Sequence, residues 1–565
     1  MKHNSRLRER LYGYGHLPFI AYILFAAAFL GIQMFQGLSY LDIGFYMSGY
    51  QHFRDDPVTV YFLGQWLMTF LSMSALCDLL SVNSYMGLRI MHLIFVIGFQ
   101  IIIYLYLKRF IRQRYIILGL LLATLSHFES YTEINYNDLS IGLLTLALIA
   151  YHHGMTQIKP WFIMASGMLA GCAFFFRITN LTFIGIPFLA ILISHRQESF
   201  MPAMRQLACF FAGVTGGVLA TMAAIHAAGM TDVMLLTIKD LTHIGGNMDD
   251  PHSMAHIIIN IYSIYKEEIK GGALAVIAVA AACIVLSRTH RFRKPAVAAI
   301  SLLVIINIYY WEPVANITVG ICLATLAATL VFNVTDTRLK CLFILSLYIP
   351  LVFPIGSNAQ VEFFGKDICF MSLPLAISII LNGRSLLIRD MRHVYAKALT
   401  ICYISACIGF VFTNVKRPMM EEGNRLQCRY TIDSPLTQNI LTTKENADMH
   451  NRLINEVKPL IPDGSYMICS FSTTAISLLD CKPYAVFSTV FTSDNMNKRY
   501  IETAYRHTGR LPLLLTEREG TNEKDQYVER CLNEISPYKV IWQDGRFVLK
   551  APVNTKNRQH DDKIS

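Results

Sequence analysis

The sequence predicts an all-α polytopic membrane domain followed by a small extracytoplasmic α/β domain, and three observations carry this. Apolar residues make up 54% of the 565 residues and charged ones only 16%, against roughly 45–50% and about 25% in soluble domains. The apolar residues gather in blocks nearly free of charge, such as 17–36, 85–107, 206–230 and 314–331, long enough to cross a bilayer core as helices. From Asn414 onward the composition turns polar.

The first block follows Lys2, Arg6, Arg8 and Arg10. It resembles a signal peptide, but no small-residue cleavage site follows and further apolar blocks do, so it reads as an uncleaved first span. The formal net charge of +10 comes from Lys and Arg gathered in short runs between apolar blocks. Such runs mark cytoplasmic loops rather than a nucleic-acid stripe. The runs at the N-terminus, at 108–114, around Arg196 and Arg205, at 288–294, around Arg338 and Lys340 and at 384–397 share one side only if the apolar segment 58–80 does not cross. Trp66 and Tyr61 suit an interfacial helix there.

Thirteen spans are then expected, near 17–36, 84–107, 115–128, 138–153, 160–176, 179–194, 206–229, 271–287, 295–310, 314–333, 339–355, 368–382 and 396–413. The N-terminus is then cytoplasmic and the C-terminus outside a cell inner (cytoplasmic) membrane. The chain divides into a membrane domain over 1–413, an extracytoplasmic domain over 414–552 and a disordered tail over 553–565. In the second domain, strand-like runs at 466–471, 511–516, 539–542 and 547–550 alternate with helix-like ones at 446–457, 495–507 and 523–535. Cys428, Cys469, Cys481 and Cys531 leave room there for one or two disulfides of unspecified pairing.

This orientation turns the residues with chemical potential outward. Asp42 follows the first span within a few residues, and Asp55 and Asp56 precede Pro57, where a turn is the plainer reading. Arg89 sits six residues into the second span and is able to snorkel to the interface. Glu129, Glu133 and Asp138 lie in the second outer loop, with Asp138 placed to cap the next helix. Arg177 stands between two apolar runs on the outer side, where the positive-inside rule gives a cation no reason to be. Its planar fork of donors suits phosphate, and pairing with a carboxylate is the alternative. The stretch 240–256 holds Asp240, His243, Asp249, Asp250, His252 and His256, without zinc spacing. No cofactor follows from the sequence, and a divalent metal has no support. The polar segment with Ser357, Asn358, Glu362 and Lys366, and Glu312 between Trp311 and Pro313, connect spans or reach a ligand.

The order of four pieces resembles the GT-C class of polyprenyl-phosphate-sugar-dependent glycosyltransferases, especially bacterial relatives of the protein O-mannosyltransferase and aminoarabinose transferase families. They are Asp42 in YLDIGFY, DDPVTVYFLGQWL with the following SYMGLRIMHLIF, the loop SHFESYTEINYNDLS ending on Asp138, and GMLAGCAFFFRITNLTFIGIPFLAILI with Arg177 at the family's Lys or Arg. The likeness covers roughly 15–195. Ile43 replaces the family's second acidic residue and Asp55-Asp56-Pro57 replaces its His-Pro-Pro, which weakens the family's metal-using members as a guide.

The resemblance implies inverting transfer of a sugar from a polyprenyl-phosphate donor to a glycan, lipid or protein acceptor at the outer face of the bilayer. It implies Asp42 as general base and Arg177 on the lipid phosphate, with Asp138, Arg89, Asp55 and Asp56 as further substrate-site candidates. Acceptor choice is expected in the later spans and the C-terminal domain. A transporter or flippase of lipid-linked sugars would also carry charges among its helices, but it would show internal repeats, and none is found. A polysaccharide polymerase stays open.

Overall fold

The computed structural model describes residues 15–39, 42–126, 132–194, 200–246, 254–287, 293–310, 315–332, 337–355, 366–383, 389–416, 423–485, 494–518 and 523–553. The expected tail beyond Val553, Glu129, most of 247–256, 311–314 and 356–365 lie outside the described residues. The membrane part runs α1 (Leu17–Gln33), α2 (Asp42–His52), a 3-10 turn (Tyr61–Trp66) into α3 (Leu67–Leu80), α4 (Tyr85–Leu107), α5 (Gln113–Leu125), α6 (Tyr136–Gln157) and α7 (Pro160–Phe176). It continues through α8 (Ile186–Ser194), α9 (Phe200–Ala227), α10 (Thr231–Gly246), α11 (Met254–Ser287), α12 (Arg293–Tyr310), α13 (Ala315–Phe332), α14 (Thr337–Ser346), α15 (Tyr348–Val352), α16 (Ser372–Gly383) and α17 (Arg389–Lys416).

Six of the described helices are long and apolar enough to cross a membrane: Tyr61–Leu80, Tyr85–Leu107, Tyr136–Gln157, Met201–Ala227, Tyr265–Ser287 and Arg392–Lys416. Shorter apolar helices of 10–17 residues stand at the other eight expected positions. The segment expected to lie flat, 58–80, therefore meets the length and hydropathy of a span. The N-terminal part of that segment nevertheless touches the C-terminal domain. Ala485 donates its N–H to the Thr59 carbonyl at 2.6 Å, and the Tyr61 ring meets that of Tyr500 at 4.9 Å.

Helix pairs inside the apolar region are set by glycine. Lipid tails are as apolar as leucine, so helices there associate through close packing of small residues. Gly167 and Gly171 of α7 and Gly213 and Gly217 of α9 form two facing small-xxx-small repeats. A Cβ on Gly167 would stand 2.0 Å from the Phe210 carbonyl oxygen, and one on Gly213 would stand 2.0 Å from that of Met164. The pair is therefore reciprocal. Gly272 of α11 and Gly320 of α13 touch backbone to backbone in the same way.

The C-terminal domain contains α18 (Lys444–Arg452), α19 (Thr473–Leu478), α20 (Asp494–Thr508) and α21 (Glu523–Ile535) around β1 (Tyr466–Cys469), β2 (Lys482–Pro483), β3 (Leu513–Glu517), β4 (Tyr538–Gln543) and β5 (Phe547–Pro552). The sheet order is β2-β1-β3-β5-β4. β1 runs parallel to β2 and β3, with Met467 opposite Leu513, and β5 runs antiparallel to β3 and β4, with Leu515 opposite Leu549. The β4–β5 turn carries Asp544-Gly545, a hairpin signal. Asp544 Oδ1 accepts the N–H groups of Arg546 at 2.6 Å and Phe547 at 2.5 Å.

The room for disulfides is not used. Cys428, Cys469, Cys481 and Cys531 are all buried free thiols, and burial pushes the Cys469 and Cys481 thiols up to about 12. The expected boundary at 413 also separates less than composition suggested. Met467, Ile476 and Leu515 of the C-terminal domain share one apolar cluster with Ile43, Tyr46 and Tyr50 of α2 and with Phe70 and Leu88.

Candidate active site

α1 ends at Gln33, and Arg89, near the start of α4, ties down the chain that follows it. Its Nη1 donates to the Met34 carbonyl at 2.5 Å and its Nη2 to that of Gly37 at 2.6 Å, while Nε donates to Glu133 Oε1 at 2.5 Å. Arg89 is 1% exposed. It does not snorkel, because three protein acceptors hold its fork inside. The geometry is that of a residue holding the loop before α2 in place, not of one offered to a substrate.

One turn along the same face of α4, His92 Nδ1 lies 2.9 Å from Asp138 Oδ2. That carboxylate oxygen also accepts from the Asn135 backbone N–H at 3.0 Å, and Asn135 in turn accepts from Asn137. Asn135 and Asp138 so form a capping box on α6. Asp138 is committed to helix capping and to His92. The turn before α6 is thereby docked on α4 through two carboxylates. The sequence flagged Glu133 only as a loop acid and His92 not at all, since each partner lies more than forty positions away.

α2 closes over this arrangement. Tyr50 donates its hydroxyl to the Ile134 carbonyl at 3.0 Å, and the Tyr46 ring lies 5.9 Å from that of Tyr136. Trp66 stacks on Tyr136 at 4.8 Å, and Phe45 meets Trp66 edge-on at 5.7 Å. Asp42 opens α2, four residues before Tyr46.

Arg177 is the C-cap of α7, where the backbone turns extended (φ −160°, ψ 122°) before a 3-10 run. Its guanidinium is buried, donates from Nη1 to the Phe353 carbonyl at 3.0 Å and lies over the Phe353 ring at 4.2 Å. Tyr46 and Tyr136 are electrostatic neighbours of this cation. Tyr46 of α2, packed on Tyr136 at the capped start of α6, and Tyr136 itself thus both influence the Arg177 charge.

Asp55 and Asp56 belong elsewhere. Asp56 accepts from the Tyr466 hydroxyl at 2.6 Å and lies 3.3 Å from His507 Nε2, both in the C-terminal domain. Burial and the neighbouring Asp56 carboxylate raise the Tyr466 phenol. Asp55 is exposed and 3.8 Å from His52. These two residues form an interdomain contact and its rim, at the base of α2 away from Asp42. Asp240, expected in a loop of uncertain use, lies in α10 and receives Arg499 at 2.5 Å. Among the described residues no group of three His, Cys, Asp or Glu side chains is placed to hold a metal.

No family model matches the chain and no curated protein matches it. Among solved structures it is similar to the archaeal oligosaccharyltransferase AglB from Archaeoglobus fulgidus, solved in complex with an inhibitory peptide and a dolichol-phosphate. The match has 10% identity over 96% of this chain and 75% of that one, with a TM-score of 0.46.

Proposed function

We propose that the chain is a membrane glycosyltransferase that moves a sugar from a polyprenyl-phosphate donor to an acceptor on the outer membrane face, with inversion and through thirteen spans. The observation that supports this reading is that Tyr46, on the helix that Asp42 opens, packs on Tyr136, and that both act electrostatically on Arg177. Asp42 is the general base and accepts the acceptor's proton as the new glycosidic bond forms. The bond from the sugar's anomeric carbon to the phosphate oxygen breaks with its electron pair. Arg177 balances the charge that collects on the departing lipid phosphate. Arg89, Glu133, His92 and Asp138 hold the frame in which these two groups work.

Profiling lipid-linked sugars in a deletion strain carrying each variant tests the reading. Asp42→Asn keeps size and polarity but removes the base, so transfer falls by roughly 10²–10⁴-fold and the donor lipid accumulates. Binding of undecaprenyl phosphate to the purified protein is retained in that variant. Arg177→Ala weakens that binding, and Arg177→Lys restores it in part, as a point charge without the fork. Near-wild-type transfer by a folded Asp42→Asn protein overturns the reading.

A further inference from the structure

The segment that leads into Asp42 is held by the far end of the chain. Phe35 and Gly37 exchange backbone hydrogen bonds with Leu441, at 2.8 Å each. Asn446 of α18 donates from Nδ2 to the Leu38 carbonyl at 2.9 Å, and Thr474 of α19 donates from Oγ1 to the Ser39 carbonyl at 2.9 Å. Leu38, Ser39, Asn446 and Thr474 are all buried. On the other side of Asp42, Gly44 lies flat against α19. A Cβ at that position would stand 2.0 Å from the Thr474 nitrogen. Ser477 of α19 shares a hydrogen bond with the Tyr85 hydroxyl at the start of α4, at 2.6 Å.

From this we infer that the C-terminal domain is a positioning element of the transfer reaction: Thr474 and Asn446 fix the main chain on which Asp42 sits. The inference rests on the reading of Asp42 as base. These polar side chains are aimed at carbonyls of residues 38 and 39, so what they fix is backbone rather than side-chain packing. Gly44 removes the last freedom by backbone contact at the opposite flank. A general base works only within about hydrogen-bond reach of its proton, and a misplacement of about 1 Å can cost roughly 10²-fold in rate. A domain that merely recruited the acceptor would have no reason to grip Phe35, Gly37, Leu38, Ser39 and Gly44. Its loss would weaken acceptor binding and leave turnover at saturation intact.

The test uses the full chain. Thr474→Val keeps shape and removes the donor, Asn446→Leu does the same for the second contact, and Thr474→Ser restores the hydroxyl. Consumption of the accumulated lipid-linked sugar is followed in membranes of the deletion strain carrying each variant. Undecaprenyl phosphate binding and amide hydrogen exchange over residues 36–46 are measured on the purified proteins. Thr474→Val and Asn446→Leu are expected to lower turnover roughly 10- to 100-fold and to speed exchange over 36–46. Undecaprenyl phosphate binding should stay within about twofold, and Thr474→Ser should return turnover to near wild type. Wild-type turnover in both variants overturns the inference, as does a matching loss of lipid phosphate binding, which signals general unfolding. Asp42→Asn separates the two ideas. If it transfers normally, the base reading itself fails; if it is inactive while Thr474→Val is unimpaired, only the positioning role falls.

Discussion

Arg89 Nε and Glu133 Oε1 meet at 2.5 Å with both side chains closed to solvent, 1% and 0% exposed. Removing one partner of such a pair leaves an uncompensated buried charge, at a cost of about 3–5 kcal/mol. Glu133→Gln and Arg89→Met should each lower the Tm of the detergent-solubilised protein sharply. The double variant Arg89→Met with Glu133→Gln should recover only part of the loss, because the Met34 and Gly37 carbonyls also lose their donor, at about 1–3 kcal/mol each. Strict additivity of the two single effects would refute the coupling.

The facing repeats on α7 and α9 make a second prediction about stability. Gly167→Val forces a side chain into the Phe210 carbonyl, so the two helices must separate. Gly216, one position from Gly217, has nothing within 4 Å of its missing Cβ, and Gly216→Ala should leave the Tm unchanged or slightly raised. Because α7 ends on Arg177, Gly167→Val should also weaken undecaprenyl phosphate binding. Equal Tm values for the two variants would show that the close approach does not govern the pair.

His52, at the end of α2, has its pKa lowered below 6.5 by burial, only partly opposed by the Asp55 carboxylate. A histidine kept neutral in the fold takes up a proton more readily when unfolded. Its contribution to stability is therefore present above pH 6.5 and is lost as pH falls through the folded value. Thermal melts between pH 7.5 and 5 should show a steeper loss for the wild type than for His52→Gln. Parallel curves would exclude His52 as the source.

The orientation of 58–80 is open to direct chemistry. Asn83 is exposed just past α3, and the contacts of Thr59 and Tyr61 with the C-terminal domain place the start of this segment on that domain's side. Asn83→Cys, in a background without reactive native cysteines, should be labelled by an impermeant thiol reagent in intact cells. Labelling only after permeabilisation would mean that 61–80 crosses.

Much of this architecture was legible because hydrophobic blocks and turn signals are local. The four strands expected in the C-terminal domain appear close to their predicted limits, and only the two-residue β2 was missed, too short to carry a period. Asp138's part in capping was readable from its place at the start of the helix, although Asn135, three residues earlier, is the N-cap. The partnerships of Arg89 with Glu133, His92 with Asp138 and Asp56 with Tyr466 were not, because their separations of 44, 46 and 410 residues leave no trace in spacing. The same blindness made the C-terminal domain look like an appendage. Its polar composition marks where water begins, and says nothing of Gly44 lying against Thr474.

That contact has a consequence for how the protein is made. Residues 38 and 39 leave the ribosome 408 and 435 positions before the Asn446 and Thr474 that bind them. At about 5–20 residues per second, roughly 20 to 90 s separate the two events. Throughout that interval the nascent chain can be inserted in the membrane while residues 38 and 39 still lack these two partners. On the proposed role of Asp42, transfer would begin only when the C-terminal domain folds back on the first helices, and a stalled copy would be inert rather than indiscriminate.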